Sequence, residues 1–62
     1  MSDLNRLEAR LWDLLATGAH SLENMVRALG VEASVIVGAL LTLEMAGKIR
    51  RLPTYRYERR AP

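Results

Sequence analysis

The sequence predicts a mainly α domain with a small β-hairpin: a winged helix-turn-helix, three helices plus a wing. Three observations within Leu22–Arg59 carry that prediction. A short apolar-periodic segment and a longer one meet across Leu29-Gly30-Val31-Glu32, the helix–glycine turn–helix pattern. The longer segment stops at Gly47, a residue type favoured just past helix ends. Two short basic strands, Lys48–Leu52 and Tyr55–Arg59, then flank a Pro53-Thr54 turn in which proline supplies a fixed φ.

The first helix is expected over Asp3–Ala16. Leu4, Leu7, Leu11, Leu14 and Leu15 recur at three- and four-residue steps, the mark of an amphipathic helix. Ser2 or Asp3 supplies the oxygen that caps its first turn. Trp12 flanks the stripe and is expected at the rim of the core, its indole N–H near water. Gly18 stops the helix, and Ala19–Ser21 is expected as a very short strand paired with the wing. His20, the only histidine, reads as a surface or strand-end residue, because neither cysteine nor a carboxylate cluster accompanies it.

Ser21 is the expected N-cap of the second helix, with Glu23 well placed in its first turn. Leu22, Met25, Val26 and Leu29 form its apolar face, and Gly30 ends it. The third helix starts near Ala33 and is apolar nearly all round. At roughly 100° per residue, Ile36, Ala39, Leu40 and Leu43 share the core side. Val37, Leu41 and Met45 recur on another face, with Val35, Gly38 and Thr42 between. Such a helix is usually buried on more than one side, so either the hairpin or another molecule covers the second face. In the hairpin, Ile49 is expected to face the core and Arg50-Arg51 to interrupt the alternation. Arg60-Ala61-Pro62 reads as a frayed tail.

The 62 residues make one domain, expected to be a C-terminal module of a larger protein. Chains this short bury a modest share of their surface and are marginal alone. Cysteine is absent, which excludes disulfides and thiolate metal sites. No run approaches the ~18 apolar residues of a membrane span. The N-terminus also lacks the basic and apolar regions of a signal peptide, so a cytoplasmic location is expected.

Charge is unevenly distributed. Residues 1–32 carry three arginines against five carboxylates, net −2, whereas residues 33–62 carry six cations against two carboxylates, net +4. All six cations (Lys48, Arg50, Arg51, Arg56, Arg59 and Arg60) follow Gly47. This asymmetry is consistent either with a polyanionic partner for the hairpin or with charge protecting exposed strands from association.

The chain resembles the C-terminal winged-helix domain of the DNA-processing protein A (DprA) family. The resemblance rests on Leu29-Gly30-Val31, Ile36 with Leu40, Leu43-Glu44-Met45-Ala46-Gly47-Lys48-Ile49, and Arg51-Leu52-Pro53 with Tyr55; His20-Ser21-Leu22 is also similar. It covers about Leu11 to Tyr57. One departure is that Thr54 stands where the family's wing-tip glycines would be. The resemblance implies a parent protein with a Rossmann-like core that protects incoming single-stranded DNA and helps load RecA during natural transformation. It implies that the small domain is an accessory in DNA binding or oligomer contacts.

No catalytic set is present: the four glycines are isolated, and Glu8 and Asp13 read as surface charge. Glu44 is expected to pair with a wing arginine. Neither a cofactor, a membrane nor a small-molecule substrate is expected. Two functions stand. In the first, Lys48, Arg50, Arg51, Arg56, Arg59 and Arg60, with Ser34 at a helix N-terminus, bind single- or double-stranded DNA weakly and without sequence preference. Tyr55 and Tyr57 alternate with Arg56 and either stack on bases or pack on the helices, with at least one expected in the core. In the second, Val37, Leu41 and Met45 dock on another copy, on the parent protein's core or on another protein. A free-standing MarR-like regulator is disfavoured, because the third helix lacks the Arg, Asn or Gln that reads bases in the major groove.

Overall fold

The computed structural model describes residues 3–60, with side chains from Arg6 onward. The expected Ser2 or Asp3 cap, the Leu4 side chain and Ala61-Pro62 lie outside the described residues. The elements run α1 (Asp3–Leu15), β1 (His20–Ser21), α2 (Leu22–Leu29), α3 (Ala33–Met45), β2 (Ile49–Leu52) and β3 (Arg56–Arg59). This is a winged helix fold, mainly helical, with a three-stranded antiparallel sheet in the order β1-β3-β2.

The three helices enclose one core. Leu7, Leu11 and Leu15, one turn apart on α1, meet Met25 of α2, Ile36, Ala39, Leu40 and Leu43 of α3, and Ile49 of β2. Burying a large aliphatic side chain fully contributes roughly 1.5–3 kcal/mol. Leu11, Met25, Ile36, Leu40 and Ile49 are all buried to that degree, so every helix and the hairpin share the same burial. Trp12 and Tyr57 pack on its rim.

Local chemistry fixes the joints. The Asn24 N–H donates to Ser21 Oγ at 3.0 Å, so Ser21 both ends β1 and caps α2. His20 braces the same corner. The Asn24 Nδ2 lies 2.7 Å from His20 Nδ1, and this amide nitrogen can only donate. Nδ1 therefore accepts, and Nε2–H donates to Thr17 Oγ1 at 2.7 Å. The α2–α3 junction bends by 113°, within the usual helix-turn-helix range.

At the end of α3, the Lys48 N–H donates to the Leu43 carbonyl at 3.0 Å and the Gly47 N–H to the Glu44 carbonyl at 2.9 Å. Those two bonds make a Schellman motif. Gly47 has φ +73°, the left-handed conformation that the motif requires. The chain is thereby turned straight from α3 into β2, which seats Ile49 in the core.

The hairpin turn differs from the sequence expectation. Leu52 pairs with Arg56, so the loop is Pro53-Thr54-Tyr55, three residues instead of the two expected. Tyr55 belongs to the turn and not to the strand, and it is the sole non-glycine residue with positive φ among those described (57°). Three-residue hairpin loops place their last residue in this left-handed conformation, usually as glycine. Tyrosine takes that position here, so nothing in the composition announces the turn.

Candidate nucleic-acid interface

The turn decides which way each wing cation faces. Side chains alternate along a strand, so a one-residue change of loop length moves every β3 side chain to the opposite face. With Ile49 paired to Arg59 and Arg51 to Tyr57, these four residues lie on the helix side of the sheet. Arg50 pairs with Glu58 and Leu52 with Arg56 on the outer side. The Arg60 N–H donates to the Lys48 carbonyl at 3.0 Å, so the alternation continues to Lys48 and Arg60 on that outer side.

The six cations therefore form two groups. On the outer side, Lys48, Arg50, Arg56 and Arg60 are exposed, against the single carboxylate of Glu58. Nε of Arg50 donates to Glu58 Oε2 at 2.8 Å, and Nη2 forms an ion pair with the same oxygen at 2.6 Å. Arg56 donates to the Ala19 carbonyl at 3.2 Å, tying the wing to the β1 corner. On the helix side, Arg51 reaches Glu44 Oε1 at 3.4 Å, as expected of a wing arginine. Its guanidinium carbon also lies 5.8 Å from the Tyr57 ring centroid. A surface pair of this kind contributes less than about 1 kcal/mol.

Arg59, the second helix-side cation, is half-buried against α1. Its Nε donates to the Trp12 carbonyl at 2.9 Å, and Nη2 donates to the same oxygen. The guanidinium carbon sits 3.8 Å over the Trp12 ring centroid, a cation–π stack. Sequence reasoning misses this contact, because 47 residues separate the partners. The one available signal was that Arg59 shares a strand face with Ile49, and that depended on the loop length. Trp12, Lys48, Arg50, Glu58, Arg59 and Arg60 line an open cleft of about 820 Å³ at the base of the hairpin.

Of the two tyrosines, Tyr57 packs against the core and Tyr55 is 82 % exposed at the wing tip. The other expected site residues lie on α3. Ile36, Ala39, Leu40 and Leu43 are buried, as the periodicity predicts. Val37, Leu41 and Met45 are 45 %, 52 % and 80 % exposed, so the hairpin does not fold over them. Ser34 is exposed on the first turn, and its spacing of three, seven and eleven residues from Val37, Leu41 and Met45 places it on this apolar face rather than with the wing. The neighbouring Glu32 caps α3 without a side-chain hydrogen bond, and its carboxylate opposes a phosphate there. Thr42 Oγ1 donates to the Gly38 carbonyl at 3.2 Å. The open face of α3 thus presents no strong base-reading donor.

Among the described residues, no three His, Asp or Glu side chains group as metal ligands, and no single helix is long and apolar enough to cross a membrane. Three helices, a helix-turn-helix bend of 113° and an antiparallel wing define a winged helix domain. The DprA winged helix domain family matches residues 2–53, and the chain belongs to that family. No curated protein and no solved structure matches it. The family match ends at Pro53, so β3, with Arg56, Tyr57 and Arg59, lies beyond the matched stretch, as does Arg60.

Proposed function

We propose that this domain is the accessory, C-terminal module of a DprA-like DNA-processing protein. It contacts DNA in the cytoplasm during natural transformation, through its wing and without strong sequence preference. The observation that carries the reading is the outer face of the hairpin: Lys48, Arg50, Arg56 and Arg60 against Glu58, whose carboxylate already pairs with Arg50. Such a face holds phosphates, which position a duplex or a strand but carry no sequence information. The apolar open face of α3 supports the absence of base reading. Binding at low salt, followed by NMR titration, is expected to be equal for unrelated sequences and to weaken steeply with salt. The slope of log K against log salt is about −0.9 per phosphate neutralised on a duplex and about −0.7 on a single strand. Replacing Lys48, Arg50, Arg56 and Arg60 together by alanine abolishes binding. A folded quadruple variant that binds like the parent overturns the reading.

A second reading rests on a separate observation. Val37, Leu41 and Met45 form a continuous exposed apolar stripe, with Val35 also open at 48 %. Bare apolar surface of this kind marks interaction sites when it is contiguous. A second copy or the parent protein's core would cover it. Sedimentation is expected to show mass rising with concentration, or a footprint of the core over the stripe, and Leu41→Asp is expected to remove either.

A further inference from the structure

We infer that Arg59 is a positioning residue: by capping the end of α1 through Trp12 it clasps the wing to that helix, so that the last turn of α1 and β3 open and close together. The functional half of this inference, that the clasp aims the outer cations, rests on the wing reading above.

The end of α1 shows why a donor is needed there. The last four carbonyls of a helix have no partner within it. The Ala16, Thr17 and Gly18 N–H groups donate to the carbonyls of Asp13, Leu14 and Leu15 at 3.2, 3.1 and 3.3 Å. That tighter i→i+3 pattern skips Trp12, whose carbonyl would otherwise receive the Ala16 N–H. Arg59 fills the gap, with Nε at 2.9 Å and Nη2 on the same oxygen. Charge points the same way. A helix C-terminus attracts cations, yet the last turn of α1 has no basic residue and carries Asp13. Arg59 brings the missing positive charge from the far end of the chain, and its stack on the Trp12 ring holds it there.

The same strand is attached at its other end. Arg56 donates to the Ala19 carbonyl, so β3 grips both ends of the segment 12–19 that leads from α1 into β1. β3 is the middle strand of the sheet, so its seating also sets β2 and with it the outer face of the hairpin. Nε and Nη2 of Arg59 are committed to the Trp12 carbonyl, whereas Lys48 and Arg60 form no ion pair among the described residues. Arg59 thus acts on DNA by placing the wing rather than by holding phosphate.

Native-state hydrogen exchange on the unaltered chain tests the clasp without a variant. The amides of Ala16, Thr17 and Gly18 are expected to exchange through the same opening as those of β3, and faster than those of α3. Arg59→Met keeps the length of the side chain and removes its donors and charge. It is expected to speed exchange in both segments by about tenfold or more, the loss of one charge-assisted hydrogen bond, and to shift the emission of Trp12, the only tryptophan. Exchange that rises in β3 alone, or in neither segment, overturns the clasp. With DNA at low salt, the folded variant is expected to bind about twofold or more weaker, in proportion to the lost seated population, with the slope of log K against log salt unchanged. Unaltered affinity in that variant overturns the positioning role. A slope smaller by about 0.9 on a duplex marks a phosphate held directly by Arg59 and overturns it too. Arg59→Lys, which restores the charge and a single donor group, is expected to recover part of both effects. If the unaltered chain binds no DNA, the wing reading fails, while the clasp is still decided by the exchange measurement.

Discussion

Leu40 and Leu41 are consecutive leucines on α3, yet one is 1 % exposed and the other 52 %. Composition treats them alike, and the structure assigns them to different tasks. Leu40 joins Leu11, Met25, Ile36 and Ile49 in the shared core, so it contributes to fold stability. Leu41 sits one step, roughly 100°, further round the helix. It lies with Val37 and Met45 on a face that, among the described residues, no element covers. Hydrophobic residues on a short domain are thus not a single category. Those that meet the other helices hold the chain together, and those that do not are available to a partner. The hairpin repeats the division with charge: Arg59 is engaged by Trp12, whereas Arg60, the next residue, is exposed on the outer side.

The largest expected effect tests the buried side of that comparison. Leu40→Ala removes a fully buried side chain from the centre of the core, and such substitutions cost about 2–5 kcal/mol. Typical stabilities of roughly 0.05–0.15 kcal/mol per residue put the whole domain in the same range. Chemical denaturation is expected to show a variant at or below the threshold of folding. Should the midpoint hardly move, α3 is not docked as described.

A smaller effect of opposite sign tests the turn that separates the two groups of cations. Tyr55 holds a left-handed conformation that costs an L-residue about 1–2 kcal/mol, and its ring is largely in solvent. Tyr55→Gly relieves that strain, partly offset by the greater freedom of glycine in the unfolded chain. The net gain expected is about 0.5–1 kcal/mol, read as a rise in Tm. A fall would mean that the Tyr55 ring makes a stabilising contact or that the loop is not three residues long.

The smallest expected effect on stability lies on the open side of α3. Leu41→Asp is expected to change the unfolding free energy by no more than about 0.5 kcal/mol, as at other exposed positions. Association through the stripe is lost in the same variant. Unfolding of the monomer by this substitution would show that Leu41 belongs to the core and would erase the contrast with Leu40.

Much of this was legible beforehand because it is local. The three helices follow from leucine spacing, from the Ser21 cap and from the glycines at 30 and 47, each of which acts within one turn of chain. The separation of Ile36, Ala39, Leu40 and Leu43 from Val37, Leu41 and Met45 also follows from helical period alone. So does the concentration of positive charge after Gly47. The pairing of Glu44 with a wing arginine was expected, and Arg51 supplies it.

The orientation of the wing cations was not legible, for a definite reason. Strand alternation has a period of two but no phase until the register is set, and the register depends on the loop length. A turn of Pro53-Thr54 alone would have placed Arg59 on the outer side and Arg56 on the helix side. Tyr55 in a left-handed conformation reverses both. The sequence by itself determined the winged helix, its core face and the net charge of its wing, because those depend on neighbours one turn apart. Only the tertiary structure decided that four cations face outward while Arg59 lies on Trp12, because that outcome depends on one backbone angle and on a contact spanning most of the chain.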